Sequence, residues 1–329
     1  MIGKFAAIAA VMWIGLCPVH AQTKAANPQA WPDKPIKLIV PTGAGAATDI
    51  MARLLANDVS KKINGSIYIE NVAGGSGLPA HQAAARAEAD GYTFLFTNTS
   101  GLALNAVSFK QLPYDPAKDF AAVAMVVDLA PQMVSVHKDV PAKTLPELIA
   151  YVKANPGKVS YGVDATAGAA VFFGKLLNRR AGLDMAEVPY RTAAQMVQDA
   201  GAGRLPVLIS SMTVAQPYVD TGDLRQIALF SGRRFPDFPN LPTVTETLPG
   251  TGYDGFFVVV APAKTPAPII DRMNAAIADV LKGADINKRL LQIGLASNGT
   301  GSPAQTSAFL DKERQRWRDL ARELGVEPQ

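Results

Sequence analysis

Cysteine is almost absent from this chain: Cys17 is its single thiol. Cys17 lies in an N-terminal stretch that reads as a cleavable leader, so the chain left after cleavage would have no cysteine. Disulfides, thiol nucleophiles and cysteine–metal clusters are thereby excluded. Histidine is nearly as scarce. With His20 in the leader, only His81, in a predicted helix, and His137, near a predicted strand end, remain, and each reads as a surface or hydrogen-bonded residue. Beyond the leader there is no apolar run approaching the about 20 residues that a bilayer span needs. Blocks of like charge are missing too. The net charge of +4 is spread along the chain, and Lys61-Lys62, Arg179-Arg180 and Arg233-Arg234 are isolated pairs. Such a pattern excludes a nucleic-acid-binding stripe.

The leader itself is well marked. Met1 to Lys4 carries one positive charge, Phe5 to Leu16 is apolar, and Val19-His20-Ala21 places small residues ahead of Gln22. This is the pattern of a secretory signal over residues 1–21, which implies a periplasmic protein. Lipidation at Cys17 would need a small preceding residue, and Leu16 stands there. Residues 22–35 are Pro-rich and aperiodic, and read as a flexible leader to the fold.

From residue 36 onward, strands and helices alternate. Strands are predicted at 36–40, 66–70 and 92–96, with helices at 48–62 and 78–89 between them. The alternation restarts after Asp128. Strands follow at 132–136, 159–162, 187–190, 207–210, 226–229 and 256–261, and helices at 144–155, 168–181, 195–202, 266–282 and 303–324. Thr144 and Glu147 form a capping-box pattern. The alternation predicts βαβ units, a parallel sheet with helices on both faces, and two comparable α/β halves around a cleft. In such sheets ligands bind beyond the carboxyl ends of the strands, which directs attention to the loops there.

Those loops offer three candidate chemistries. Gly43-Ala44-Gly45-Ala46-Ala47-Thr48 follows a strand and opens a helix, as a dinucleotide site does, and Glu70 ends the next strand. The third glycine is replaced by Thr48, however, and an exported protein meets no nicotinamide pool, so no cofactor is expected. Gly74-Gly75-Ser76-Gly77 resembles a nucleophile elbow, but the glycine needed at position 78 is Leu78. A secreted hydrolase therefore has no support from spacing, and no metal cluster can be assembled. What remains is a set of loops rich in glycine, hydroxyls and backbone N–H groups, including Thr97-Asn98-Thr99-Ser100-Gly101 and Gly162 to Gly168. Together these suggest a binding cleft.

The same residues carry a family resemblance. Trp31-Pro32-Asp33-Lys34-Pro35-Ile36, Glu70-Asn71 with Gly74 and Gly77, and Asp90-Gly91-Tyr92-Thr93 are part of it. Leu112-Pro113-Tyr114-Asp115-Pro116 with Lys118-Asp119-Phe120, Val188-Pro189-Tyr190 and Leu241-Pro242-Thr243-Val244 complete it. In these the chain resembles the Bug family, the periplasmic solute-binding components of tripartite tricarboxylate transporters, over essentially all of its length after the leader. The resemblance implies a type II periplasmic-binding-protein fold of two α/β lobes, with two crossovers near Asp128 and Tyr253. Lobe 1 would comprise residues 36–128 and 254–329, and lobe 2 residues 129–253. It also implies a monomer that closes over a small organic acid and hands it to membrane transporter subunits or, alternatively, to a sensor kinase.

The candidate ligand-binding residues are Thr42, Gly43, Ala44, Gly45, Thr48 and Asp49 in the first loop, with Asp49 and Thr48 also candidates for simple helix capping. Gly75, Ser76 and Gly77 follow in the second, then Thr97 and Thr99, Asp164, Thr166 and Gly168, Arg191, and Ser211. Several loop positions depart from the family pattern. Leu78 replaces a common Asn, Val163, Ala169 and Ala170 add methyl groups, and Asp164 adds a negative charge that Arg191 could pair. These departures predict a ligand other than a dicarboxylate, with one carboxylate held at the lobe 1 loops.

Overall fold

The fold is that of a computed structural model, which describes residues 31–163, 168–190 and 192–328. The predicted signal, most of the leader after it, Asp164, Thr166 and Arg191 lie outside the described residues.

The described residues form two five-stranded sheets. The first holds β1 (Ile36–Val40), β2 (Ile67–Asn71), β3 (Thr93–Asn98) and β4 (Phe120–Ala130). The second holds β5 (Gln132–His137), β6 (Ser160–Val163), β7 (Ala186–Pro189), β8 (Val207–Ser211) and β9 (Leu224–Phe230). The last strand, β10 (Gly255–Pro262), returns to the first sheet. The strand orders are β2-β1-β3-β10-β4 and β7-β6-β8-β5-β9.

Neither sheet is wholly parallel, contrary to the expectation from alternation. β10 runs antiparallel to β3 and β4, and β5 runs antiparallel to β8 and β9. The reason is topological. Only Pro131 separates β4 from β5, so β5 enters the second sheet from the end at which β8 finishes; β10 enters the first sheet in the same manner. A strand that arrives from the other lobe needs no crossover helix, and its direction is reversed.

β4 escaped the sequence reading because its Ala- and Val-rich run has no period-2 alternation. The helix Met212–Asp220 escaped because Pro217 sits inside it, and Ala284–Gln292 was also missed.

The core of the first lobe shows why its helices form where they do. Met51, Leu55, Val59 and Ile63 recur along one face of the helix Ala47–Ile63, and they pack with Ile269, Met273 and Ile277 of the helix Ala267–Leu281. Each such burial contributes about 1.5–3 kcal/mol. In the second lobe Leu145, Leu148 and Val152 join Phe172, Phe173, Leu176 and Leu177. Thr144 caps its helix by accepting from the Glu147 N–H at 3.3 Å, but the Glu147 carboxylate accepts from Lys143 N–H, so the capping box is only half formed.

Two of the expected boundaries need correction. Trp31 is not in a flexible leader: it is 1% exposed, donates its indole N–H to Gly91 O at 2.9 Å and packs edge-on to Phe94. The end of the chain also does not belong to lobe 1 alone. The helix Pro303–Leu324 places Leu310 in a first-lobe cluster, whereas Trp317, Leu320 and Ala321 lie in the second-lobe cluster. Its 22 residues span roughly 33 Å, enough to cover both cores.

Candidate functional site

A cavity of about 640 Å³ opens between the two lobes. The first lobe supplies Pro41 to Gly43 after β1, Ala73, Gly74, Ser76, Gly77 and His81 after β2, and Asn98, Ser100, Gly101 and Asn105 at and after the end of β3. The second supplies Gly168, Thr192 and Ala193.

On the first-lobe wall the chain turns sharply through Gly74, Gly75, Ser76 and Gly77, all at positive φ. For Ser76 that conformation is costly, by about 1–2 kcal/mol, so something must hold it. Two carbonyls of the loop are pinned from behind. Ser76 O accepts from Asn105 Nδ2 at 3.2 Å, and Gly77 O lies 2.7 Å from His81 Nδ1. A carbonyl only accepts, so Nδ1 carries the proton and Nε2 accepts from the Thr97 hydroxyl at 2.7 Å. The imidazole stacks on Tyr114 with 4.9 Å between centroids. Burial pushes His81 down to about 4, with the Gly77 carbonyl opposing it only in part, so the ring is neutral. The Tyr114 phenol donates to Gly101 O at 2.6 Å and accepts from Asn105 Nδ2 at 3.1 Å. Gly101 must be glycine, since a Cβ there would stand 1.8 Å from His81 Nε2.

Asp49 organises the first loop from below. It is 2% exposed and accepts from Gly45 N–H at 2.8 Å, Arg53 Nε at 3.0 Å and Asn71 Nδ2 at 2.8 Å. Asn71 Nδ2 also reaches Thr42 O at 2.9 Å. Burial alone would raise this carboxyl, but Arg53, the Gly45 N–H and Asn71 outweigh it and hold the group below its ordinary range.

The second-lobe wall is built differently. The helix Ala169–Ala181 starts at Gly168 and the helix Ala193–Gly201 at Thr192, so both begin at the cavity. Gly168 has no side chain to cap with, and Thr192 accepts only from Gln195 N–H, at 3.2 Å. Among the described residues no other side chain caps these two helix starts, and first-turn N–H groups together with the positive end of a helix dipole are suited to an anion.

Of the residues named from the sequence, Thr42, Gly43, Ser76, Gly77 and Gly168 line this cavity. Ala44, Gly45, Thr48 and Asp49 do not; the Gly45 N–H, expected to meet a ligand, is taken by Asp49. Gly75 belongs to the turn without lining the cavity. Thr97 is buried behind His81, Thr99 accepts from Phe256 N–H at 2.9 Å, and Ser211 precedes the helix Met212–Asp220 away from the cavity. Asn98 faces it while Thr97 points to the other side of β3, since successive side chains of a strand alternate in direction; β3 ends at Asn98, and at Thr99 and Ser100 the backbone has already turned helical, so that alternation no longer applies there. His81, Asn105, Thr192 and Ala193 were missed. Leu78, Val163 and Ala170, whose methyl groups were expected to impoverish the site, do not line it, and Val163 and Ala170 are buried in the second-lobe core. Among the described residues no group of side chains could hold a metal ion, and no helix is long and apolar enough to cross a membrane.

Two α/β lobes, joined by strands that cross between sheets and enclosing a polar cavity at the strand ends, define a two-lobed solute-binding protein. Comparison with known proteins narrows this. The family described as "Tripartite tricarboxylate transporter family receptor" matches residues 51–326, and the chain belongs to that family. It is 31% identical to the protein BugT of Bordetella pertussis over 99% of this chain and 97% of that protein. Among solved structures, Rpa4515 of R. palustris with adipate is 32% identical, with a TM-score of 0.82 over 91% of this chain and all of that one, that is 100%. MatC from Rhodopseudomonas palustris with bound malate is 27% identical, with a TM-score of 0.75 over 88% of this chain and 99% of that one.

Proposed function

We propose that this protein is a periplasmic receptor which captures a small organic acid between its lobes and passes it to the membrane subunits of a tripartite tricarboxylate transporter. It acts as a monomer, without turnover and without a cofactor. The observation that carries this reading is the pair of helix starts, at Gly168 and Thr192, facing the turn Gly74–Gly77 across about 640 Å³. Fixed N–H groups and helix dipoles stabilise a carboxylate by about 0.3–1 kcal/mol per helix when exposed, and more once the lobes exclude water. The helix starts would supply backbone donors to that carboxylate. The adipate- and malate-bound relatives support an acid of that size. On closing, the lobe of β5–β9 rotates toward that of β1–β4 and β10.

Calorimetry with adipate, malate, succinate and monocarboxylates tests the reading. Saturable one-to-one binding of at least one acid, accompanied by a rise in melting temperature, is expected. Absence of binding across the panel, or consumption of a bound acid, would overturn it.

A further inference from the structure

Beside the ligand cavity lies a second, smaller chamber of about 110 Å³. Asn98 and Ser100 line both spaces, so the two meet at the end of β3. Their linings differ in kind. Turn backbone and helix starts surround the larger space. The chamber is walled by Leu104 and Phe257 of the first lobe, Ala169 and Phe173 of the second, and Trp317 of the helix both cores share. Its polar groups are largely engaged. Asn98 Oδ1 accepts from Ser100 N–H at 3.1 Å and the Thr99 hydroxyl from Phe256 N–H at 2.9 Å, while Gln132 adds an amide at the start of β5.

The chamber also sits at the pivot of the two lobes. Ala130 and Gln132, which line it, flank Pro131, the link between β4 and β5, and Gly255 opens the returning strand β10. A Cβ on Gly255 would stand 2.7 Å from Ala130 O, so the two crossovers touch here. Rotation moves atoms in proportion to their distance from the pivot, so the chamber keeps its shape while the mouth of the cleft closes. Water in so apolar a space finds few partners, and hydrocarbon placed there leaves solvent at a gain. An apolar cavity of about 150 Å³ accepts benzene. This one, open on the larger cavity, suits an alkyl chain of a few carbons or a single ring.

We propose that the ligand is an acid with an apolar arm, that its carboxylate is held in the larger cavity, and that the arm enters this hinge chamber. This rests on the receptor reading above, which concerns the carboxylate; the chamber accounts for the rest of the molecule. A simple dicarboxylate would leave the chamber unfilled, so the expectation of another ligand is kept. Of the residues that suggested it, Ala169 lines the chamber, and a larger side chain there would take the place of the arm.

Acids with and without an arm test this. Succinate is compared with propylsuccinate and benzylsuccinate, and propionate with hexanoate and phenylpropionate. A buried methylene is worth about threefold to fourfold in affinity. Calorimetry should therefore find at least one armed acid binding about tenfold tighter or more than its parent. Ala169→Leu, and Ala130→Leu from the hinge side, fill the chamber and should shrink that gain to within about threefold, with folding checked by circular dichroism. Trp317 gives a second readout, since it forms part of the wall. The best-binding armed acid, brominated at the tip of its arm, should quench tryptophan fluorescence at saturation in the wild type and not in Trp317→Phe. Parents binding as tightly as all their armed forms would overturn the proposal while leaving the receptor reading in place. So would a gain that survives both filling variants, or a saturating brominated acid that leaves Trp317 unquenched. If neither filling variant folds, the wild-type pairs and the quenching decide. If none of the six acids binds, the receptor reading fails and the proposal falls with it.

Discussion

The two walls of the cavity solve one problem with opposite materials. On the first-lobe wall, side chains do the shaping: His81, Thr97, Asn105 and Tyr114 form a connected buried network whose purpose is to hold the carbonyls of Ser76, Gly77 and Gly101 in place. On the second-lobe wall the helices starting at Gly168 and Thr192 present backbone, with Gly168, Thr192 and Ala193 as the lining. A side-chain network is selective and brittle, since each member is buried and a lost partner leaves another unpaired. Helix starts are tolerant and suited to charge, because their donors exist whatever side chains surround them. The difference is one of construction: one wall depends on each of its buried side chains, the other on backbone that does not need particular side chains around it.

The largest effect that should separate the walls is expected from Gly101→Ala. The added Cβ would fall 1.8 Å from His81 Nε2, inside the network. We expect a loss of about 3 kcal/mol in urea denaturation, together with loss of ligand binding. Wild-type stability would mean that the network yields easily, and that the contrast between walls is weaker than drawn.

Acid should reach the first wall in a similar measure. His81 sits near its usual 6.5 when unfolded and at about 4 when folded, through burial. Between these values the unfolded chain binds the extra proton, so stability is fully present above about pH 6.5 and is lost as pH falls toward 4. The shift corresponds to roughly 3 kcal/mol. Denaturation at a series of pH values should show this slope in the wild type and a shallower one in His81→Gln. Equal slopes would remove His81 as the cause.

Gly45→Val sharpens the comparison within the first lobe. No atom lies within 4 Å of a Cβ at Gly45, so crowding of a ligand is not the mechanism; φ is +83°, which a β-branched residue adopts only with strain. A destabilisation of about 1–2 kcal/mol is expected, with binding weakened less than by Gly101→Ala. A large, purely binding effect would return the first loop to direct contact.

The smallest effect belongs to the second wall. Thr192→Ala removes the acceptor for Gln195 N–H and should cost about 1 kcal/mol of stability. The freed N–H lies in the first turn of a helix that begins at the cavity, so affinity for a carboxylate should change by no more than about threefold. A loss of binding as complete as that from Gly101→Ala would show that this wall, too, depends on its side chains.

How much of this was open to a sequence reader differs element by element. The helix Ala47–Ile63 was legible because Met51, Leu55, Val59 and Ile63 repeat at the helical period, and β1 because Ile36, Leu38, Ile39 and Val40 cluster between Pro35 and Pro41. The turn at Gly74–Gly77 was legible as a turn, since glycine tolerates positive φ. Its partners were not, because Asn105 lies 29 residues from Ser76 and nothing local announces the pairing. The Tyr114 segment was noticed only as part of a family likeness. Its work, stacking on His81 and steering Asn105, depends on β3 and the helix Leu78–Ala85 meeting in space.

The sequence by itself determined the alternation of strands and helices, the division into two α/β halves and the glycine-rich loops at strand ends. These follow from side-chain periodicity and backbone sterics, which act over a few residues. Tertiary structure decided the rest: the reversed direction of β5 and β10, the helix Pro303–Leu324 shared by both cores, the burial that keeps His81 neutral, and the choice of Asn98, Ser100 and Asn105 over Thr97 and Thr99 as the cavity wall. Each of those depends on which distant segments exclude water from one another, and no local pattern encodes that.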